Sequence, residues 1–458
     1  MNRVARVAPL LVRGRISAGH GLVDLLSIAA FALSSWLLLV VLAGVNAFYG
    51  RQLVPPPAFV QSLGKAAGQG VSQLAFWTWL AACAGVLLVV PLMTLGAAAA
   101  RMGALGRDQR LATLRLLGVT GGQVVALSTL ETMLAALAGA VGGTLAYLVT
   151  LPVWAAVSFE ATPLSGAEML LQPAAIATVV LLQVALAGVS SVTGLLRLRI
   201  SPLGVARRQP RPALKLWRFL ALPLVVGAWF VVAPLLNLQR ELAFGVSVIL
   251  VGLGVFMGVV NLVGPWVLQL LGKLLTRAGR PAVLVAGRRL LADPRGAWRS
   301  VSGLAFVGFT GGALASVPNL TADADPLTRI LAQDLRTGTY LTVAIAFLVA
   351  AASTLLNQAS GVLDRREDLH QLGNLGVPVS LHSRVRLVEV VAPSALAALG
   401  SGGLAVFFFG LLPKVGADQL GMLAFGMALV AGIVLVWAAG EACRPLVRAA
   451  VTGTVRSA

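Results

Sequence analysis

The chain has 458 residues, of which 58% are hydrophobic and 11% are charged, and its mean hydropathy is +0.91. So much apolar sequence with so few charges excludes a water-soluble globular protein, because the polar residues are too few to cover the core. The net charge of +19 is compatible with a nucleic-acid-binding protein or with a membrane protein that has basic cytoplasmic loops. The positions of the basic residues decide between these two classes.

Ten apolar segments are each long enough, at roughly 20 residues, to cross about 30 Å of hydrocarbon. They lie near residues 22–48, 73–100, 123–157, 172–196, 217–236, 243–271, 301–318, 338–362, 385–412 and 419–442. We therefore predict an all-α polytopic membrane protein with about ten transmembrane helices.

The basic residues are distributed unequally between the two sides of this predicted membrane domain. With a cytoplasmic N-terminus, about 29 of the 35 lysines and arginines fall on the cytoplasmic side; the exceptions are Arg51, Lys65, Arg240, Arg329, Arg336 and Lys414. This asymmetry follows the positive-inside rule, so the charge reflects topology and attraction to membrane lipids rather than binding to nucleic acid. Both termini are expected in the cytoplasm.

A short motif occurs twice, each time between two long apolar segments. It reads LRLLG at 114–118 and LGNLG at 372–376, and Glu131 and Glu389 each follow the last glycine of their copy by 13 residues. Self-similarity at a fixed offset is typical of duplicated membrane architecture. We predict two related four-helix halves, residues 1–207 with spans 1–4 and residues 273–458 with spans 7–10, and a central span pair at 208–272.

Each copy of the motif ends a short amphipathic segment on the predicted cytoplasmic side. Apolar positions recur every three residues, and charged residues lie between or before them, which predicts a helix that Gly118 or Gly376 terminates. Such a helix suits docking against a soluble partner, but the spacing equally fits an ordinary interfacial helix. The residues concerned are Arg110, Leu114, Arg115 and Leu117 in the first copy and Glu367, Leu372 and Leu375 in the second.

Glu131 and Glu389 lie inside predicted spans 3 and 9. A carboxylate at that depth is costly unless it is paired or hydrated. One interpretation bonds them to the neighbouring amphipathic segments, near Arg110 or Arg115 and near Arg384 or Arg386, so that movement passes into the spans. The other interpretation has each acid stabilise the first turns of its own helix.

Other residue types indicate no catalytic or metal site. The sequence has no Gly-x-x-x-x-Gly-Lys-Ser/Thr phosphate loop, and its three histidines lie far apart. Phe76, Trp77 and Trp79 fall near the outer end of span 2 and predict an interfacial aromatic belt rather than a ligand cage. The outer loops are short, so we expect the recognition surface to lie in the spans.

Taken together, these motifs resemble the FtsX-like permease family of ABC transporters. The shared order is a span, a charged segment that ends in a Leu-Gly-Val-type turn, and a span with an early Glu followed by small residues. The resemblance covers roughly residues 73–207 and 338–450, and the ten-span arrangement looks like the BceB type. Unlike that type and the MacB and LolC types, this chain has no large extracytoplasmic domain between its spans.

The resemblance implies a non-catalytic permease subunit in the bacterial cytoplasmic membrane. Two separate ABC ATPase subunits would supply the bound ATP and Mg²⁺, and this chain would hold no cofactor. The coupling residues would be Arg110, Leu114, Arg115, Leu117, Gly118, Glu367, Leu372, Leu375 and Gly376, with Glu131 and Glu389 in transmission. The expected function is export or release of an amphiphilic substrate, such as a peptide antibiotic, hydrophobic drug or lipid, with a role in antimicrobial resistance.

Two alternatives remain open. The chain could transmit ATPase movement to an extracytoplasmic hydrolase or a sensor kinase without transport. It could also be an ion-coupled secondary transporter, which would require ionisable residues near the middle of the membrane.

Overall fold

The computed structural model describes residues 21–63, 67–105, 120–198, 224, 227, 242–315, 326–364, 366–410 and 419–451. These residues are almost entirely helical. In chain order the first helices are α1 (Gly21–Leu53), α2 (Pro57–Leu63), α3 (Ala67–Leu105), α4 (Gly121–Thr150) and α5 (Pro173–Leu198). A 3₁₀ helix (Leu151–Ala156) and an antiparallel hairpin of β1 (Ser158–Phe159) and β2 (Thr162–Pro163) lie between α4 and α5.

The later part of the chain contains further long helices and three shorter ones. They are α6 (Leu242–Leu275), α7 (Pro281–Ala292), α8 (Pro294–Ala315), α9 (Pro326–Asp364), α10 (Arg366–Asn374), α11 (Val379–Gly410), α12 (Gln419–Glu441) and α13 (Arg444–Val451). Helices α2, α5, α7, α8 and α9 all begin at a proline. Proline fixes a helical φ and lacks only an N–H that the first turn leaves unbonded, so it favours helix starts.

Six described helical segments are long and apolar enough to cross a membrane: Asp24–Leu53, Gly122–Ala156, Pro173–Thr193, Arg329–Leu363, Val379–Val406 and Phe425–Val451. This is the composition of an all-α, multi-pass membrane protein. Predicted spans 2, 6 and 7 coincide with helices α3, α6 and α8, whereas predicted span 5 falls almost wholly outside the described residues. The number ten therefore stays a prediction.

Large apolar side chains lie exposed on the surface of these helices. Val149 is 76% exposed, Leu181 68% and Met427 69%, each on one of the six apolar segments. In water such a surface would drive aggregation, but in a bilayer it faces lipid tails of the same polarity. The exposed surface therefore agrees with the hydropathy of the helices.

Two groups of four long helices pack in the same order. In the first, α1 packs against α3 and α4, α4 against α5, and α3 against α5. In the second, α8 packs against α9 and α11, α11 against α12, and α9 against α12. The main contact between the two groups is that of α3 with α9.

The first and third helices of each group approach through a Gly-x-x-x-Gly pair. On α4, a Cβ at Gly139 would lie 2.5 Å from Phe31 Cβ, and one at Gly143 would lie 2.3 Å from the Ala32 carbonyl oxygen. On α8, a Cβ at Gly308 would lie 2.2 Å from the Ala398 oxygen. Small residues let helix backbones come this close, which matters in lipid because hydrophobic burial does not drive helix association there.

The bundle has two ends that differ in structure. We call the end that carries the β1–β2 hairpin the hairpin end. We call the opposite end, where α7, α10 and α13 lie, the short-helix end. Helix α9 runs between them, with Asp334 bonded to the hairpin and its last turn leading into α10. The described short-helix end carries many basic residues, among them Lys273, Arg277, Arg280, Arg288, Arg289, Arg384, Arg386, Arg444 and Arg448.

Replacing Gly143 by Ala should weaken the α1–α4 contact. The new methyl group would overlap the Ala32 backbone, and overpacking of this kind costs about 1–3 kcal/mol. The adjacent Gly142 is the control, because a Cβ there meets only Ala32 Cβ at 3.8 Å. Thermal unfolding in detergent should show a clearly lower melting temperature for Gly143→Ala than for Gly142→Ala; equal values would contradict the packing.

Candidate functional site

Helix α10 at the short-helix end terminates at the glycine that the second motif predicts. Gly376 has a φ of +83°, which favours glycine because a side chain is strained there. The N–H of Val377 donates to the Leu372 oxygen at 3.1 Å, and the N–H of Gly376 donates to the Gly373 oxygen at 2.9 Å. These two bonds form a Schellman motif, which satisfies the last carbonyls of the helix.

The inner face of α10 rests on the C-terminal helix α13. Leu369 is 6% exposed and packs with Val362, Val447 and Ala450. The ring Nδ1 of His370 lies 3.2 Å from the Val451 oxygen. Because this support comes from residues about 80 positions further along the chain, no local sequence pattern indicated it.

The outer face of α10 presents apolar and charged side chains to the surroundings. Leu375 is 79% exposed and Leu372 36%, and Glu367 and Gly376 are also exposed. Leu372, Leu375 and Gly376 therefore lie together on one projecting turn at the end of α10, whereas Glu367 lies in the first turn of that helix. The predicted residues of the first copy, Arg110, Leu114, Arg115, Leu117 and Gly118, lie outside the described residues.

Glu131 and Glu389 both lie half-buried on long helices, as the apolar segments predict. The salt bridge of Glu389 is to Arg289 on α7, with Arg289 Nη1 at 3.3 Å from Glu389 Oε2. We expected Arg384 or Arg386 as the partner, but Arg384 is exposed and the guanidinium of Arg386 donates to the Gly440 carbonyl. The acid thus joins α11 to the helix that precedes α8.

At the hairpin end, Arg51 forms the centre of a buried charged cluster. It is 2% exposed, and its Nε and Nη2 donate to Glu168 at 3.1 and 3.0 Å. Nη1 and Nη2 also donate to the Phe159 and Pro163 oxygens, both at 2.9 Å. The guanidinium therefore fastens the hairpin to the last turn of α1.

Glu168 and Glu160 respond oppositely to this arginine. Partial burial would raise the pKa of Glu168, but hydrogen bonds from Arg51 and the Ser165 N–H outweigh it and lower the pKa. Glu160 is fully buried, and burial raises its pKa from 4.5 to about 7, although Arg51 opposes the shift. Arg51 Nη1 lies 3.6 Å from Glu160 Oε2, and neither Glu160 oxygen accepts a hydrogen bond from the described residues.

The tight turn of the hairpin explains why Glu160 is held in this position. Glu160 and Ala161 have φ values of +55° and +56°, the left-handed pair found in type I′ two-residue turns. Side chains other than Gly, Asn and Asp are uncommon at such φ values. Burial of Phe159 and the bonds to Arg51 compensate this strain.

Asp334 of α9 attaches the second helix group to the same cluster. It is 4% exposed, and its Oδ2 accepts hydrogen bonds from Trp77 Nε1 at 2.7 Å and from the Glu160 N–H at 2.9 Å. One carboxylate oxygen therefore holds together α3, the hairpin and α9.

A cavity of about 320 Å³ lies directly beside these groups. We call it the hairpin cavity; α1 residues 40–48, α3 residues 77–88 and α9 residues 334–345 form most of its wall. Residues between α4 and α5, including Trp154 and Phe159, form another part of its wall. Its lining is apolar or aromatic except for a few polar groups, of which Asp334 carries a charge.

No pattern in the sequence predicted this site. Trp77 is 2% exposed and bonded to Asp334, so it does not belong to an interfacial belt, whereas Phe76 is 46% exposed. The cavity wall includes residues from the segment between α4 and α5, not only residues from the long helices. The available signal was the occurrence of Arg51, Glu160, Glu168 and Asp334 beside apolar segments in the outer loops, but their pairing requires the tertiary fold.

Comparison with known proteins gives no identification: no protein family, curated protein or solved structure matches this chain. Within the described residues, no group of His, Cys, Asp and Glu is arranged to hold a metal ion.

Lowering the pH from 8 to 5.5 should stabilise the hairpin through Glu160. Because its folded pKa is raised above its unfolded value, the folded state binds the proton more tightly between about pH 4.5 and 7, and stability falls as pH rises through that window. This pKa shift corresponds to at most about 3 kcal/mol in the free energy of unfolding. On acidification, the melting temperature of the wild type should therefore rise relative to that of Glu160→Gln, so that the two values converge or cross. Parallel pH profiles of the two proteins would contradict the raised pKa of Glu160.

Proposed function

We propose that this chain is the membrane subunit of an ABC transporter in a bacterial cytoplasmic membrane, and that it uses two separate ATPase subunits to export an amphiphilic substrate. The observation that carries the proposal is the projecting turn of α10, where Leu375 is 79% exposed between two long helices. A soluble partner would cover this apolar side chain. Lipid would cover it less well, because exposed Glu367 and Asp368 lie on the same short helix.

The order of helix packing supports two related halves. The contacts among α1, α3, α4 and α5 recur in the same sequence among α8, α9, α11 and α12. Duplicated halves would provide two coupling segments on one chain, of which α10 is the second and residues 107–117 the first. Each would receive one ATPase subunit.

The distribution of charge supports an orientation in which the short-helix end lies in the cytoplasm. The short-helix end is strongly basic in the described residues, which the positive-inside rule places in the cytoplasm, where ATPase subunits are found. Arg51, Arg329 and Arg336 are the described basic residues near the hairpin end, and Arg51 is already neutralised within its cluster. The hairpin would then face outward.

Helix α9 provides a direct mechanical route from the ATPase site to the cavity. It is 39 residues long, and its part from Asp334 to Asp364 spans about 45 Å at 1.5 Å per residue. Its outer part lines the hairpin cavity, and its inner end continues into α10. Displacement of α10 by a closing ATPase dimer would tilt α9 against α3 and shift the population of cavity conformations.

The Arg289–Glu389 salt bridge would make α7 part of the same movement. Glu389 lies 13 residues after Gly376, near the start of α11, and the bridge carries its motion to α7. We assign Glu131 the corresponding transmission role in the first half. Mechanotransmission without transport would use the same helices and the same salt bridge. Transport differs from it because a substrate crosses the membrane.

Purification of the tagged chain from its native membrane tests the proposal. Two ATPase copies per chain, counted by mass spectrometry, are expected. Absence of any ATPase would overturn the proposal and favour the ion-coupled transporter, for which the buried acids Glu160 and Asp334 would be the first groups to study.

Leu375→Asp should reduce recovery of the ATPase at least about tenfold, because a buried carboxylate without a partner costs several kcal/mol at an apolar contact. Asn374→Asp is the matched control, since it adds the same charge to the adjacent exposed position without removing an apolar side chain. Equal recovery from the two variants, with unchanged melting temperatures, would exclude α10 as the docking helix.

A further inference from the structure

We propose that the hairpin cavity binds an organic cation with large apolar groups, and that Asp334 and the surrounding aromatic rings select its positive charge. This inference rests on the proposed function for the role of the cavity in transport, but the binding itself does not require an ATPase. It narrows the broad class of amphiphiles to those that are cationic.

The charge of the cavity wall is the first argument. Among the described lining residues, Asp334 is the charged one, and it is 4% exposed. Burial opposes the ionised form of Asp334, whereas its hydrogen bonds from Trp77 and the Glu160 N–H favour that form and hold the carboxylate beside the cavity. An anion in the cavity would lie next to this carboxylate and be repelled by it.

Arg51, which lies near the cavity, does not reverse the negative charge of its wall. The guanidinium of Arg51 is engaged by Glu168 and by two backbone oxygens, and Arg51 is not part of the cavity wall. One arginine against Glu160, Glu168 and Asp334 leaves the cluster with a net charge of −2, or −1 when Glu160 is protonated. These four side chains together therefore carry a net negative charge in either protonation state of Glu160.

The aromatic lining is the second argument. Phe48, Trp77, Trp154, Phe159 and Phe309 all contribute to the wall. The faces of aromatic rings attract cations electrostatically, most strongly for Trp, and this attraction is larger where water is excluded. The same rings offer apolar contact to the hydrophobic part of the ligand.

The size and position of the cavity fit such a ligand. Its volume of about 320 Å³ falls at the small end of the range for drug-sized ligands, which is roughly 300–1,000 Å³. It lies where α3 and α9, the helices that join the two groups, meet α1. A ligand there would contact both groups, so its occupancy would depend on their relative arrangement.

Tetraphenylphosphonium and tetraphenylborate provide the test, because they have nearly the same size and shape but opposite charge. The full chain in nanodiscs is titrated with each ion, and the signal of empty nanodiscs is subtracted to remove partition into lipid. We expect tetraphenylphosphonium to bind at least about tenfold more tightly than tetraphenylborate. Equal affinities, or tighter binding of the borate, would overturn the proposal.

Asp334→Asn examines the role of the carboxylate charge. The amide oxygen can still accept the bonds from Trp77 and the Glu160 N–H, so the hairpin stays attached while the charge is lost. The affinity for tetraphenylphosphonium should fall at least about tenfold and that for tetraphenylborate should not fall. An unchanged phosphonium affinity in a variant with wild-type melting temperature would exclude Asp334 as the selecting group.

Gly44→Phe locates the binding in this cavity. Gly44 lines it, and a Cβ there meets nothing within 4 Å, so the ring would occupy the cavity without disturbing the packing. Gly50→Phe is the matched control on the same helix: it also has nothing within 4 Å, but it does not line the cavity. We expect loss of phosphonium binding only in Gly44→Phe; equal binding in both variants would place the ligand elsewhere.

The outcomes separate this inference from the proposed function. If two ATPase subunits are recovered but phosphonium does not bind selectively, the proposal of a cationic ligand is wrong and the proposal of an ABC permease stands. If phosphonium binds selectively but no ATPase is recovered, the proposal of a cation site stands and the proposal of an ABC permease is wrong.

Discussion

Hydrocarbon cannot hydrogen-bond to the protein, and this constraint governs the whole structure. Backbone groups must be satisfied within the chain, so the apolar segments form helices, and charged groups collect at the helix ends or in pairs. The same solvent provides little drive for apolar helices to associate. Close backbone contact therefore has to stabilise the bundle, and Gly139 and Gly143 on α4 and Gly308 on α8 make it geometrically possible.

The Arg51 cluster shows how a buried charge is tolerated beside such a solvent. Arg51 satisfies its donors with Glu168 and two carbonyls, and the hairpin that supplies those carbonyls carries Glu160 in a left-handed conformation. Glu160 has no hydrogen bond to its oxygens within the described residues, and burial raises its pKa to about 7. The bonds from Arg51 and to Asp334 hold this left-handed turn in place directly beside the cavity.

Several long helices extend from the hairpin end, and α9 is the one that links the cavity wall to α10. It carries Asp334 in the cavity wall at one end and leads into the exposed turn of α10 at the other. Since α3 and α9 form the main contact between the two helix groups, a tilt of α9 changes the cavity and the group interface together. A permease that couples an ATPase to a substrate requires this kind of connection.

The sequence by itself determined the all-α membrane class, because long apolar runs and basic loops are local properties. It also placed the end of α10 at Gly376, since a left-handed C-cap requires glycine there. Only the tertiary structure decided that Glu389 pairs with Arg289, that Trp77 is buried rather than interfacial, and that Arg51, Glu160 and Asp334 form one buried cluster beside a cavity. Those contacts join residues 100 or more positions apart, and their pairing depends on how the helices pack rather than on any pattern within one segment.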